Sequence, residues 1–193
     1  IAGAAIQWLR DGLGVLKKAA ESEKLARSVD STLGTYLVPA FVGLGAPYWD
    51  AEARGAILGI TRGTTRADVV RAALDSIAYQ ICDATAAMER DAGSELHELR
   101  ADGGATANSY LMQFQADLLG KPVRRSKIAE TTAYGAALLA GLATGVWSSQ
   151  QELSDLMKGG DLFRPRIAAQ ERERLLEGWR DAVSRVLTRA AHE

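Results

Sequence analysis

The chain is poor in the residues that build disulfide frameworks and metal sites. Its 193 residues include one cysteine, Cys82, and two histidines. One cysteine excludes an internal disulfide, and this one lies in an apolar helical stretch where a small buried side chain is usual. Neither histidine forms a nucleophile motif with it. This cysteine usage is typical of a reducing compartment, and we expect a cytoplasmic protein.

The chain also lacks an excess of charge of either sign and a long apolar run. The formal net charge is −1, so no global field attracts nucleic acid or an anionic membrane. The longest run of small apolar residues, 133–143, contains Tyr134 and is too short to span a bilayer. No secretory signal pattern is present. We therefore expect no nucleic-acid partner and no membrane span.

The sequence begins Ile1-Ala2-Gly3, already inside a patterned segment and without an initiator methionine. We therefore expect that the chain is part of a longer protein. Its length is enough for one domain with a substantial core and short for two.

Helical and strand patterns alternate along the chain, and glycines punctuate the strand ends. The predicted strands are 35–41, 55–60, 96–101 and a segment around Val123, and the predicted helices are 4–9, 22–29, 65–92, 108–119, 132–144, one after Ser149 and one after Pro165. Ser22 is the predicted N-cap of the second helix. This order predicts an α/β domain with helices flanking a sheet.

The strongest helical pattern begins at Thr65. Thr65 and Asp68 have the spacing of a capping box, and Gly93 is placed to end the helix. Apolar residues recur three and four apart as far as Met88, which we expect to fill the core.

Three further features have both a structural and a functional interpretation. Tyr48 and Trp49 are expected to pin their loop to the domain, with an interface as the alternative. The basic run 124–127 is expected to be a solvated strand end rather than a phosphate contact. Small residues four apart in the helix 132–144 predict a close helix crossing; they are Ala133, Ala137, Gly141 and Gly145.

The most informative stretch is Asp102-Gly103-Gly104-Ala-Thr-Ala-Asn108, which lies between a predicted strand and a predicted helix. Glycine permits positive φ and removes the Cβ, and a following helix N-terminus offers free N–H groups to an anion. From the residues alone, this turn either admits a phosphate or ribose or serves packing only. Asp102 either influences magnesium or a phosphate-bound water, or caps the turn.

Four segments resemble the FGGY carbohydrate kinases. They are Ile6-Gln-Trp-Leu-Arg-Asp11, Gly43-Leu-Gly-Ala-Pro-Tyr-Trp-Asp50, Gly55-Ala-Ile-Leu-Gly-Ile60 with Asp68-Val69 and Ala72-Ala-Leu-Asp75, and Asp102–Asn108 continuing into Leu111-Met-Gln-Phe-Gln115. The resemblance covers essentially the whole chain, and the wording of the second segment is that of the glycerol-specific branch.

The resemblance implies an actin/hexokinase-like (ribonuclease H-like) ATPase domain with a mixed sheet flanked by helices. Residues 1–193 would form its C-terminal nucleotide-binding domain. The family's nucleotide contacts fall here on Gly3, Gln7, Gly104 and Asn108. ATP would be the phosphoryl donor, leaving as ADP, with Mg²⁺ bridging its phosphates.

The resemblance also implies what this chain does not contain. The catalytic carboxylate, the glycerol-binding side chains and the phosphate loop of the family all lie upstream, so no catalytic residue and no metal ligand is predicted here. We expect the chain alone to be inactive and the protein to form a homo-oligomer. The alternatives are another FGGY sugar or polyol kinase, or a non-catalytic nucleotide-binding module.

Overall fold

The computed structural model describes residues 1–128 and 130–188 of the chain. The helices are α1 Gly3–Asp11, α2 Glu21–Ala26, α3 Arg66–Ala92, α4 Ser109–Leu119, α5 Thr131–Ala143, α6 Gln150–Leu156 and α7 Ala169–Ser184. The strands are β1 Tyr36–Val38, β2 Ala56–Leu58, β3 Leu99–Ala101, β4 Val123–Arg125 and β5 Asp161–Phe163. No helix in these two ranges is both long and apolar enough to cross a membrane.

The strands form two small sheets. β1 and β2 pair antiparallel, with Tyr36 opposite Leu58. β4 is the centre of a mixed sheet, since it pairs parallel to β3 and antiparallel to β5. The predicted mixed sheet is therefore confirmed. Strand β5 was not predicted, because three residues after Gly160 are too short to show an alternation.

Helix α3 is the central element and packs against α4, α2 and β1. The predicted capping box is confirmed, since the N–H and the hydroxyl of Thr65 both donate to Asp68 Oδ2, at 2.7 and 2.6 Å. Gly93 ends the helix with φ +61°. The prediction for Met88 is wrong: it is 69% exposed. The helix buries no residue after Cys82, because its last turns extend beyond the core.

Aromatic side chains join α3 to the helices on either side of it. The Tyr79 ring stacks on Trp179 of α7 with a centroid distance of 5.1 Å and meets Phe114 of α4 edge-on at 5.7 Å. Nearby, Asp83 accepts hydrogen bonds from the Tyr48 hydroxyl at 2.9 Å and from Trp179 Nε1 at 2.7 Å. The predicted pinning of the 43–50 loop is therefore confirmed for Tyr48 and wrong for Trp49, which is 78% exposed.

Two local predictions are wrong. Helix α2 begins at Glu21, and the Ser22 hydroxyl donates to the Ala19 carbonyl at 2.6 Å instead of capping the helix. In α5, Gly141 packs against Trp147, but Ala133 and Ala137 are exposed. The expected helix crossing is therefore not formed within the described ranges.

Candidate functional site

The two glycines of the turn between β3 and α4 have different roles. Gly103 has φ +87°, a conformation that disfavours other residues, whereas Gly104 begins a short 3₁₀ turn, Gly104–Ala107, without positive φ. A Cβ built on either glycine would meet no atom within 4 Å. Gly103 therefore shapes the turn, and Gly104 leaves its backbone open to approach.

This turn forms part of a cavity of about 630 Å³ that α1, α2, α3 and α4 enclose. All four residues predicted to contact nucleotide line it: Gly3, Gln7, Gly104 and Asn108. The volume lies within the usual range for small-molecule sites. The structure thus brings the four residues together, and their contact with nucleotide remains a prediction.

The lining of the cavity is mixed in character. Four of its residues are large and apolar: Ile6, Leu74, Ile77 and Leu111. Polar side chains from α1 and α2 also line it, namely Gln7, Arg10, Ser22 and Glu23. A lining that combines apolar side chains with a few polar groups suits a ligand with a flat ring and a polar edge.

The N-terminus of α4 does not offer free amides. Asn108 is its N-cap, and Asn108 Oδ1 accepts from the Leu111 N–H at 3.0 Å. The Glu23 carboxylate accepts from the N–H groups of Ser109 and Tyr110, at 3.3 and 3.2 Å. The predicted free N–H groups at this helix start are therefore wrong, because side chains already accept from the first three.

The donors that remain lie in the turn and on the cap. Within the described residues, the N–H groups of Gly104 and Ala105 have no protein acceptor, and neither has the side-chain nitrogen of Asn108. These three groups can donate to a ligand in the cavity. The turn, rather than the helix, is thus the part of this segment that can receive an anion.

Contacts on the far side of the turn hold it in place. Arg125 of β4 donates to the Thr106 carbonyl at 3.0 Å and to Ser109 Oγ at 3.3 Å, and it pairs with Asp161. Asp102 accepts from the Thr131 hydroxyl at the start of α5, so it does not cap the glycine turn. The basic run does end strand β4, but the expectation that it is solvated is wrong for Arg124 and Arg125, whose side chains are 30% and 22% exposed and form ion pairs. Arg125 also fixes the turn, which no local pattern indicates.

Beneath the start of α4 lies a buried polar group. The Tyr110 hydroxyl donates to Asp75 Oδ1 at 2.6 Å, and Arg71 Nε is 3.9 Å from Asp75 Oδ2. Burial raises the pKa of Asp75 to about 7, and the bond from Tyr110 and the charge of Arg71 oppose that rise. This group ties α4 to α3 below the cavity.

Cys82 behaves as the sequence predicts. It is buried, and burial raises the pKa of its thiol to about 12. A thiol with so high a pKa is not a nucleophile at neutral pH. Its neighbour Gln115 places Nε2 3.7 Å from the sulfur.

The fold and the site together define an α/β domain with a ligand cavity at a strand–glycine–helix turn. Residues 1–144 match the C-terminal domain of the FGGY family of carbohydrate kinases. The chain belongs to this family. The predicted fold class is confirmed by solved structures of FGGY kinases, which share this architecture.

Within the family, the chain is similar to glycerol kinases. It is 61% identical to the glycerol kinase of Symbiobacterium thermophilum over 96% of its own length and 37% of that protein. The Plasmodium falciparum glycerol kinase, solved with ADP, superposes with a TM-score of 0.89 at 35% identity, covering 97% of this chain and 37% of that one. A Lactobacillus acidophilus xylulose kinase shares the fold, with a TM-score of 0.81 at 20% identity over 95% of this chain and 38% of that one.

These coverages show that the chain spans a little over a third of the length of the relatives it matches.

Proposed function

We propose that residues 1–193 are the C-terminal, ATP-binding part of a glycerol kinase, which transfers the γ-phosphoryl group of ATP to glycerol and yields glycerol 3-phosphate and ADP. The observation that carries this proposal is the cavity that collects Gly3, Gln7, Gly104 and Asn108. The high identity to glycerol kinases over the whole chain supports the acceptor.

The cavity suggests how this chain would hold the nucleotide. The apolar side formed by Leu74, Ile77 and their neighbours suits the base, and the Asn108 side-chain nitrogen can donate to its edge. The open backbone at Gly104 admits the ribose and phosphates without a Cβ in the way. Phosphoryl transfer rests on positioning and on electrostatic stabilisation, so holding ATP in one orientation is a direct contribution to the rate.

Magnesium would arrive with the nucleotide. The described residues contain no group of three or more His, Cys, Asp or Glu side chains that could hold a metal ion. That composition fits a Mg²⁺ ion carried mainly by phosphate oxygens and water, as is usual in kinases. When bound, the ion neutralises charge on the transferred group.

We propose further that glycerol and the catalytic base are held by a part of the protein outside these residues. Helix α5 supports this division, since it is strongly apolar yet leaves Ala133, Ala137 and Leu139 exposed. Ala133 and Ala137 lie on one side of the helix and Leu139 on the other, and such exposed apolar side chains are available to pack against a further part of the protein. The chain alone would then be unable to phosphorylate glycerol.

The test is a phosphorylation assay with magnesium-ATP on the enzyme that contains this chain and, in parallel, on the chain alone. The proposal predicts turnover of glycerol by the enzyme, much slower turnover of D-xylulose, and none by the chain alone. Preference for the pentulose would assign another FGGY activity. Nucleotide binding without phosphorylation of any polyol would instead define a non-catalytic module.

The remaining parts of the proposal are a cytoplasmic location and a homo-oligomer. A buried, unpaired cysteine supports the first, since it needs no oxidising compartment. The exposed Trp49 side chain is a candidate contact for the second. Light scattering on the purified enzyme measures the oligomeric state directly.

A further inference from the structure

Glu23 of α2 connects two walls of the cavity that are 86 residues apart in sequence. Its two carboxylate oxygens accept from the Ser109 and Tyr110 N–H groups at the start of α4. Its side chain is 31% exposed and lines the cavity, so it sits at the cavity surface rather than in the core. None of the sequence motifs includes this residue.

The carboxylate is itself held in place from its own helix. Arg27, the C-cap of α2 and one turn beyond Glu23, donates to Glu23 Oε1 from Nε at 3.0 Å and from Nη2 at 2.8 Å. The Arg27 guanidinium also lies 5.9 Å from the centre of the Tyr110 ring. The Glu23 carboxylate therefore bonds to Arg27 as well as to the two α4 amides.

Glu23 and Asn108, a predicted nucleotide contact, together accept hydrogen bonds from the first three N–H groups of α4. Asn108 Oδ1 satisfies the third N–H of α4, and Glu23 satisfies the first two. A negative charge at a helix N-terminus is stabilising, because it faces the positive end of the helix dipole. Without Glu23, the first turn of α4 would lose two acceptors immediately beside Asn108, which lines the cavity.

We propose that Glu23 is a positioning residue for the nucleotide site: it fixes the start of α4, and with it Asn108 and the Gly104 turn, in the arrangement that binds nucleotide. This inference rests on the proposed function. It assigns Glu23 no contact with the reacting atoms, so its loss weakens nucleotide binding and leaves the acceptor side unaffected.

The test compares three variants of the enzyme that contains this chain. Glu23→Ala removes both acceptors, Glu23→Gln keeps one oxygen acceptor, and Glu21→Gln is the matched control. Glu21 is on the same helix, but its carboxylate accepts from the Lys17 N–H and does not line the cavity. The readouts are the ADP dissociation constant by calorimetry and the separate KM values for ATP and glycerol.

We expect Glu23→Ala to raise the ADP dissociation constant and the KM for ATP about tenfold, in line with the loss of charge-assisted hydrogen bonds. Glu23→Gln should recover part of the loss, leaving a rise of about threefold. The KM for glycerol should stay within about twofold of wild type, because Glu23 acts on the nucleotide side and not on the part of the protein that is proposed to hold glycerol. Glu21→Gln should match wild type.

A purely structural role would lower the amount of folded enzyme and leave the KM for ATP unchanged, and that result would overturn the proposal. So would equal effects of Glu23→Gln and Glu21→Gln, a comparison that stands even if Glu23→Ala fails to fold. Wild-type enzyme that binds ADP but does not phosphorylate glycerol would contradict the proposed function, while the ADP affinities would still decide the role of Glu23.

Discussion

Helices α4 and α5 each follow a strand of the same sheet, yet they have opposite environments. Helix α4 buries six of its side chains, including Leu111, Gln115 and Leu118, and its first three amides bond to side chains. Helix α5 is more apolar in composition but buries only Leu138 and Gly141. The helix with more polar residues is thus the one in the core.

The two helices differ in whether the other elements of this chain cover them. The α4 side, with α1, α2 and α3, forms a cavity in which the first three amides of α4 are paired and the donors of the Gly104 turn are open to a ligand. Helix α5 instead leaves most of its apolar side chains exposed or partly exposed within residues 1–128 and 130–188. The comparison therefore separates a side of the domain that has a built cavity from a side whose helix leaves apolar side chains exposed within the described residues.

The largest expected effect comes from truncating one leucine in each helix of the isolated chain. Leu111→Ala removes a side chain that is 2% exposed and should lower the free energy of unfolding by about 2–5 kcal/mol. Leu139→Ala removes one that is 65% exposed and should change it by less than about 0.5 kcal/mol. Urea unfolding measures the free energy of unfolding of the two variants. Equal losses of stability in the two would contradict the difference between α4 and α5.

The next effect concerns the buried carboxyl beneath α4. Burial raises the folded-state pKa of Asp75 to about 7, above its unfolded value, so the unfolded chain releases this proton first as the pH rises. The Asp75 contribution to stability should therefore fall between about pH 4 and pH 7, at about 1.4 kcal/mol per pH unit, and level off above that.

Asp75→Asn should flatten this dependence while keeping an oxygen that accepts from Tyr110. Unfolding of variant and wild type in urea at several pH values isolates the difference. A variant with the full wild-type slope between pH 4 and 7 would assign the pH dependence to other groups.

The smallest effect in the series separates the two roles of Asn108. Asn108→Ala removes the N-cap of α4 and should cost about 1 kcal/mol of stability as well as nucleotide affinity. Asn108→Ser keeps a capping oxygen but lacks the side-chain nitrogen, so it should lose affinity with little loss of stability. Calorimetry with ADP and urea unfolding provide the two readouts.

Ser149→Ala is the matched control, because Ser149 caps α6 outside the cavity by accepting from the Glu152 N–H at 3.2 Å. It should lower stability without changing ADP affinity. If Asn108→Ser binds ADP as wild type does, Asn108 is only a cap.

Much of the fold could be predicted from local patterns. The long helix α3 carries its own start signal at Thr65 and Asp68 and its own stop at Gly93, so its limits were clear without tertiary information. What the helical pattern does not predict is which of its apolar residues are buried. Periodicity places Met88 on the apolar face, but only the packing of other elements decides where along a helix burial ends.

Only the part of the site that has a local sequence pattern could be predicted. Gly104 and Asn108 lie within one short turn and share a local signature. The sequence also contains a signal for the cap, since asparagine before an apolar-periodic segment is a favoured N-cap. Glu23 and Arg125 reach the turn from 86 and 16–19 residues away, and no spacing in the sequence encodes those contacts.

The central claim is that the cavity at the Gly104 turn binds the nucleotide, and Gly104→Val in the enzyme that contains this chain tests it most directly. Gly104 lacks positive φ, and a Cβ there meets no protein atom within 4 Å, so the variant should fold and show an unchanged circular dichroism spectrum. The valine side chain would occupy the space that the account assigns to ATP. Calorimetry with ADP should then show wild-type binding at one site and a loss of at least tenfold in the variant; equal affinities in the two folded proteins would contradict the account.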